Sequence, residues 1–185
     1  MSIRTVSSFG IALALVAVMG GACTPPPDAE KANAQQAVDA AKNDGAEMYA
    51  KTQLDAAAAE WAKAEQHMTA KEYLEAKAAY ESTVRLAAEA GKEAGVQKEM
   101  IKTEASQGID AFMTKWGEVS AAIEKGKGKD AKALAAEAGE YAKTITEQIN
   151  TLKTNGQWIE LKAAVEEASK KADEFSGRAM GGGTK

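Results

Sequence analysis

The chain has 185 residues, 45% of them hydrophobic, with 23 Lys and Arg against 27 Asp and Glu and a formal net charge of −4. Alanine makes up 41 of those residues and aromatics only 5%, so any core is shallow and built from small side chains. The charges are interleaved rather than blocked, which excludes the basic, clustered footprint of a nucleic-acid binder.

The first 22 residues read as an export signal: Arg4 gives a basic start, Phe9 to Met19 are almost wholly apolar, and small residues lead to Cys23. The roughly 14 residues from Phe9 to Ala22 fall short of the roughly 20 needed to cross a hydrocarbon core, which argues against a retained membrane helix. Gly20-Gly21-Ala22-Cys23 resembles the lipobox of bacterial lipoproteins, with Gly20 where Leu is usual. That resemblance implies cleavage after Ala22 and acyl chains on the sulfur and the new amino group of Cys23. One chain anchors marginally and two or three anchor permanently, because each buried methylene contributes about 0.8 kcal/mol. The alternative is an ordinary secretory cysteine left as a free thiol, since a lone Cys has no disulfide partner. Thr24 stands where lipoproteins kept at the inner membrane carry Asp, so the resemblance implies an outer-membrane anchor facing the periplasm. An exported chain without disulfides is held by helix propensity and packing.

Residues 23–27 form the lipidated cysteine and a Pro-rich tether, since Thr24-Pro25-Pro26-Pro27 favours an extended polyproline stub. Five helices are predicted beyond it. Asp28 caps the first, which carries a narrow stripe of Ala29, Ala32, Ala37, Val38 and Ala41 and ends at Asn43-Asp44-Gly45. Thr52 opens the second, with Leu54, Ala58, Trp61, Ala64 and Met68 on one face. Thr69-Ala-Lys-Glu72 reads as a capping box for the third. From Tyr73 through Tyr80, Val84, Ala87, Gly91, Ala94, Ile101, Ala105, Gly108, Phe112, Val119 and Ala122 the three-four spacing never breaks. A straight helix from Thr69 to Lys125 would be about 85 Å long. Gly91, Gly95, Gly108 and Gly117 each cost about 1 kcal/mol in a helix interior, so a bend near Gly91 to Gly95 is the rival expectation. Gly91 and Gly108 fall on the buried stripe and would admit a close partner.

Gly126 and Gly128, set among Lys125 to Lys129, stop the third helix, and Asp130 caps the fourth. Its inner face is Leu134, Ala138, Tyr141, Ile145, Ile149 and Leu152. Asn155-Gly156 closes it, a fifth helix carries Trp158, Leu161, Val165, Ala168, Ala172 and Phe175, and residues 177–185 are expected to be a disordered tail. Tyr73-Leu-Glu-Ala-Lys-Ala-Ala-Tyr80-Glu aligns with Trp158-Ile-Glu-Leu-Lys-Ala-Ala-Val165-Glu at an offset of 85 residues. The expected fold is therefore all-α: an elongated antiparallel bundle of about five helices, read as two three-helix modules, 28–97 and 98–176, sharing one long central helix. Chance is the rival to duplication, because Ala, Lys and Glu dominate both segments.

Ala37, Ala41, Gly45-Ala46, Tyr49-Ala50, Leu54, Trp61, Ala64, Tyr73, Ala76, Tyr80 and Ala87 resemble an Ala-rich bacterial lipoprotein domain of unknown function with tetratricopeptide-like hairpins. The similarity covers residues 28 to 91. Ala76 and Tyr80 match the small-then-aromatic packing pair of the tetratricopeptide motif, and Ala64 and Glu65 stand where that motif has Leu and Gly.

Catalytic patterns are missing from the sequence. His67 is the single histidine, so a relay has no second member and a metal site would rest on carboxylates. Gly181-Gly-Gly183 follows no strand and is no phosphate cradle. Glu and Lys three and four apart read as solvated faces. Trp61, Trp116 and Trp158 read as core anchors ahead of a ligand groove, and Met48, Met68, Met100 and Met113 as packing filler. The expected function is non-enzymatic, without cofactor or metal: a lipid-anchored envelope lipoprotein acting as adaptor or spacer, with the membrane and an envelope protein as partners and no nucleic acid. The alternatives are a periplasmic holdase or carrier for apolar cargo, and an accessory subunit that joins a membrane complex through its long helix.

Overall fold

Proline is confined to positions 25–27, and strong helix formers fill the segments that follow. A computed structural model describes residues 25–127 and 129–181, and every regular element among them is helical. The elements are α1 (Asp28–Asn43), α2 (Ala46–Tyr49), α3 (Lys51–Ala70), α4 (Tyr73–Glu124), α5 (Lys129–Thr154) and α6 (Trp158–Gly181). The all-α bundle with one long central helix is the architecture that the periodicity predicts. The added element is α2, a single turn between Gly45 and Ala50, where only a turn was expected.

α4 runs for 52 residues without interruption, about 78 Å at 1.5 Å per residue. The helix is therefore continuous through Gly91 and Gly95, and tertiary contact explains how the costlier glycines are retained. A methyl group at Gly91 would lie 2.9 Å from Asp44 Oδ2 and 3.5 Å from the Ala41 Cα, and one at Gly108 would lie 3.1 Å from Val165 Cγ1. Glycine at these two positions lets α1 and α6 pack closely; a larger residue would have to displace the Asp44 carboxylate at Gly91 or shift Val165 by a few tenths of an ångström at Gly108. Gly95 and Gly117 have nothing within 4 Å of such a methyl.

Helix starts differ from the capping predictions for local reasons. Pro27 takes the N-cap of α1, which moves Asp28 into the first turn, where its charge still complements the helix dipole. Lys51 and Lys129 open α3 and α5, so Thr52 and Asp130 lie one residue inside them. The capping box at Thr69 does not form. Thr69 belongs to the last turn of α3, donating its hydroxyl to the Glu65 carbonyl at 2.9 Å, and no side chain caps α4 at Glu72. Of the expected tail, residues 177–181 instead continue α6, and residues 182–185 lie outside the described residues. Arg178 donates to both Glu137 oxygens at 2.8 and 2.6 Å, and Ala179 packs on the adjacent core.

Pairs of contacts at different heights fix the helix directions. Glu30 meets Lys77 and Asp44 lies against Gly91, while Glu104 meets Lys162 and Lys115 meets Asp173, so α1 and α6 run parallel to α4. The short turns at Lys71 and Gly156, with Glu65–Tyr80 and Glu137–Arg178 joined beyond them, set α3 antiparallel to α4 and α5 antiparallel to α6. Buried residues gather along both halves of α4. Ala34, Ala64, Ala76 and Tyr80 form one cluster and Ala41, Leu54, Ala87 and Ala94 belong to a second, both on the first half. Ala105, Phe112, Leu134, Ile149, Leu161 and Phe175 belong to the third. On α4 no residue between Ala94 and Ala105 is buried.

The 85-residue offset has a structural counterpart in the two hairpins. Lys71 (φ 61) and Gly156 (φ 68) both adopt the left-handed conformation that ends α3 and α5. The N–H groups of Lys71 and Glu72 donate to the Met68 and His67 carbonyls, and those of Gly156 and Gln157 donate to Lys153 and Leu152. This is the same Schellman closure 85 residues on. Ala76, Tyr80, Thr83, Ala87 and Ala90 are buried, as are Leu161, Val165, Ala168, Ala172 and Phe175 at the same offset. The outer helix does not share it. Lys77 pairs with a residue 47 positions earlier and Asp173 with one 58 positions earlier.

Candidate interaction surfaces

Tyr80 needs an acceptor because its ring is fully buried between α3 and α4. Glu65, one turn before the end of α3, supplies it: the Tyr80 hydroxyl donates to Glu65 Oε1, and Lys31 Nζ from α1 lies 2.8 and 2.9 Å from the two carboxylate oxygens. The Lys31 ammonium, followed by the Tyr80 hydroxyl, holds the Glu65 carboxyl below its ordinary value. Burial, followed by that same hydrogen bond, pushes the Tyr80 phenol up. Trp61 closes the group, its ring centroid 5.3 Å from that of Tyr80 and 66° from its plane. Glu65 thus ties three helices together through its carboxylate. The readable signal was the buried tyrosine, which requires a polar partner one helix away.

The other tryptophans are also half-buried packing residues. Trp116 lies 5.9 Å from Phe112, 5.5 Å from Tyr141 and 5.5 Å, edge-on, from Phe175. Trp158 packs on the same core beneath the Lys102 ammonium, 5.7 Å from its centroid. Of the four methionines expected to fill gaps, only Met68 does so. Met48, Met100 and Met113 are 58%, 45% and 54% exposed, because α1, α3, α5 and α6 leave the outer faces of α2 and α4 uncovered.

Two concave surfaces among the described residues are larger than the one of about 400 Å³ between α4 and α6. A groove of about 500 Å³ separates α1 from α3, with Val38, Leu54, Ala58 and Trp61 on its floor and Lys42, Glu47, Lys51 and Asp55 on its rim. A second, of about 580 Å³, opens at the far end of α4, between its last turn, the start of α5 and the end of α6. Ile123, Leu134 and Ala179 line its floor, and Lys125, Lys127 and Lys129 surround it.

His67 sits at the α3–α4 turn, with Nδ1 2.6 Å from Glu72 Oε2. The described residues hold no group of three or more potential metal ligands, no unpartnered buried side-chain polar atom, and no helix long and apolar enough to cross a membrane. Cys23 and Ala22, the expected lipid and cleavage positions, lie outside the described residues. No known protein family, curated protein or solved structure matches the chain.

Proposed function

We propose that the chain is an exported lipoprotein of the cell envelope, anchored through acylated Cys23, most simply in the outer membrane facing the periplasm, and acting as a spacer or protein-interaction adaptor. The observation that carries this reading is the single 52-residue helix on which both halves of the bundle are mounted. A continuous helix resists bending, and a reach of about 78 Å is far more than a core of this size needs. The lipobox-like residues 20–23 and the likeness of residues 28–91 to Ala-rich lipoprotein hairpins support the envelope setting. The cores themselves, Ala-rich in the first half and built on Phe, Leu and Ile in the second, are already buried within the chain.

Replacing Cys23 with Ser tests the anchor: labelled fatty acid should vanish from the protein, which should leave the membrane fraction or stall as a precursor. A Cys23→Ser protein that still fractionates with membranes would exclude the lipid as the anchor. The α1–α3 groove, with its apolar floor, favours a second reading as a carrier of apolar cargo. Fluorescence of an apolar dye separates the two: strong binding that Val38→Glu abolishes supports the carrier, and no binding supports the spacer. Crosslinking in intact envelopes, followed by co-purification, identifies the protein partner.

A further inference from the structure

The interleaving of opposite charges gives way at one short stretch of the chain. Residues 28–124 carry eleven Lys and Arg against eighteen Asp and Glu, whereas residues 125–132 carry four Lys against a single Asp. Lys125, Lys127, Lys129 and Lys132 are all exposed, and none has an ion-pair partner among the described residues. Lys125, Lys127 and Lys129 line a cleft of about 580 Å³ with Ile123, Leu134 and Ala179 on its floor, and Lys132 lies one turn into α5 beside it. Arg178 beside them is held by Glu137, and Asp130 is the one carboxylate that lines the cleft with them. The place of this cluster is set by α4. Glu30 of α1, three residues beyond the Pro-rich tether, is bonded to Lys77 near the start of α4. Lys125 follows 48 residues later along the same axis, about 72 Å away.

We propose that this distal lysine end docks on an anionic phospholipid surface. Lysine ammoniums on flexible stems act as point charges suited to phosphate, and clustered lysines gain from the negative potential of such a surface. The apolar floor can receive the glycerol and first methylenes of a lipid, a fit that a wholly polar carboxylate polymer would not use. The acidic length of the rod is repelled by the same surface, so contact is end-on. Docking needs no acyl chain. The bridging of two surfaces about 72 Å apart rests additionally on the anchor proposed above.

Sedimentation with lipid vesicles tests the docking, using the full chain with Cys23→Ser so that no acyl group contributes. The probes are vesicles of phosphatidylcholine alone and vesicles containing about one third phosphatidylglycerol. The readout is the ratio of the two affinities, which cancels any contribution from the apolar residues near the N-terminus. The expected ratio is well above ten at low salt and falls towards one in 0.5 M NaCl. Each Lys→Gln change at 125, 127, 129 or 132 should weaken anionic binding about fivefold, and all four together more than a hundredfold. K92Q/K98Q/K143Q/K153Q, four exposed lysines elsewhere, changes net charge equally and should leave the ratio within about threefold. Equal loss in the two quadruple variants, or a ratio near one in the parent, would overturn the proposal. So would displacement by millimolar inorganic phosphate as effective as that by anionic vesicles, which would make the cleft a free-anion site. Labelling of native Cys23 with fatty acid is scored separately, so a missing anchor and a missing dock give different results.

Discussion

At the residue scale, four α4 glycines that look alike in sequence separate into two kinds. Gly→Ala at Gly95 or Gly117 meets no neighbour and should raise the unfolding free energy by about 0.5–1 kcal/mol through helix propensity alone. At Gly108 the added methyl meets Val165 Cγ1 at 3.1 Å, and the repacking should cancel that gain or reverse it by about 1 kcal/mol. Urea unfolding of the three variants measures the difference; equal gains at all three positions would contradict the close α4–α6 contact. Glu65 governs the acid response. Its folded carboxyl holds a proton less tightly than the ordinary value of 4.5. The stability it contributes is therefore fully present above that value and lost as pH falls through the lower folded one. Glu30 and Glu137, lowered by hydrogen bonds from Lys77 and Arg178, act in the same direction. Thermal stability should accordingly decline as pH is taken from about 5 towards 3, and Glu65→Gln should flatten that decline. An unchanged slope in Glu65→Gln would remove Glu65 from the account.

At the scale of elements, the two hairpin turns offer a matched pair. Lys71 occupies a left-handed conformation that costs an ordinary residue about 1 kcal/mol, and Gly156 occupies the same position without that cost. Lys71→Gly should therefore stabilise by roughly 0.5–1 kcal/mol, and Gly156→Ala should destabilise by about 1 kcal/mol. Opposite signs are the outcome to look for in denaturant titrations. α4 itself is the element that couples the halves, and residues 95–104 of it carry no buried side chain. Gly95→Pro would remove a helical hydrogen bond and cost about 3 kcal/mol, with little loss of core packing. Unfolding followed at Trp61, with Trp116 and Trp158 replaced by Phe, should then part from unfolding followed at Trp116 alone. Coincident transitions would show that the halves communicate by another route.

For the whole molecule, length is the measurable property. A compact domain of about 160 residues has a radius of gyration near 15 Å, whereas a rod of about 78 Å has one near 23 Å from its length alone. Small-angle X-ray scattering of the non-acylated protein should give a value above about 22 Å, and a result near 15 Å would mean that α4 folds back on itself. The described residues thus place Pro25 to Pro27 at one end of an elongated body and the exposed lysines at 125–132 at the other, so its two ends differ in chemistry.

Composition and spacing alone determined the helices. An Ala-rich chain with prolines only at 25–27 has no competing strand propensity, and an apolar residue every three or four positions from Tyr73 to Ala122 marks one buried face of one helix. The helix ends were less legible, because Ser, Thr and Asp cap helices only where the preceding backbone is free to leave the helix. Pro27 and the Schellman closure at Lys71 had already settled that question. The pairing of Glu65 with Tyr80 and Lys31, the difference between Gly91 and Gly95, and the exposure of Met48, Met100 and Met113 depended on the tertiary structure. Periodicity says which face of a helix is apolar, but not how much of that face its neighbours are long enough to cover. The lysines at 125–132 were visible as residues from the start; only the direction of an unbroken α4 made them the opposite end of the molecule from the tether.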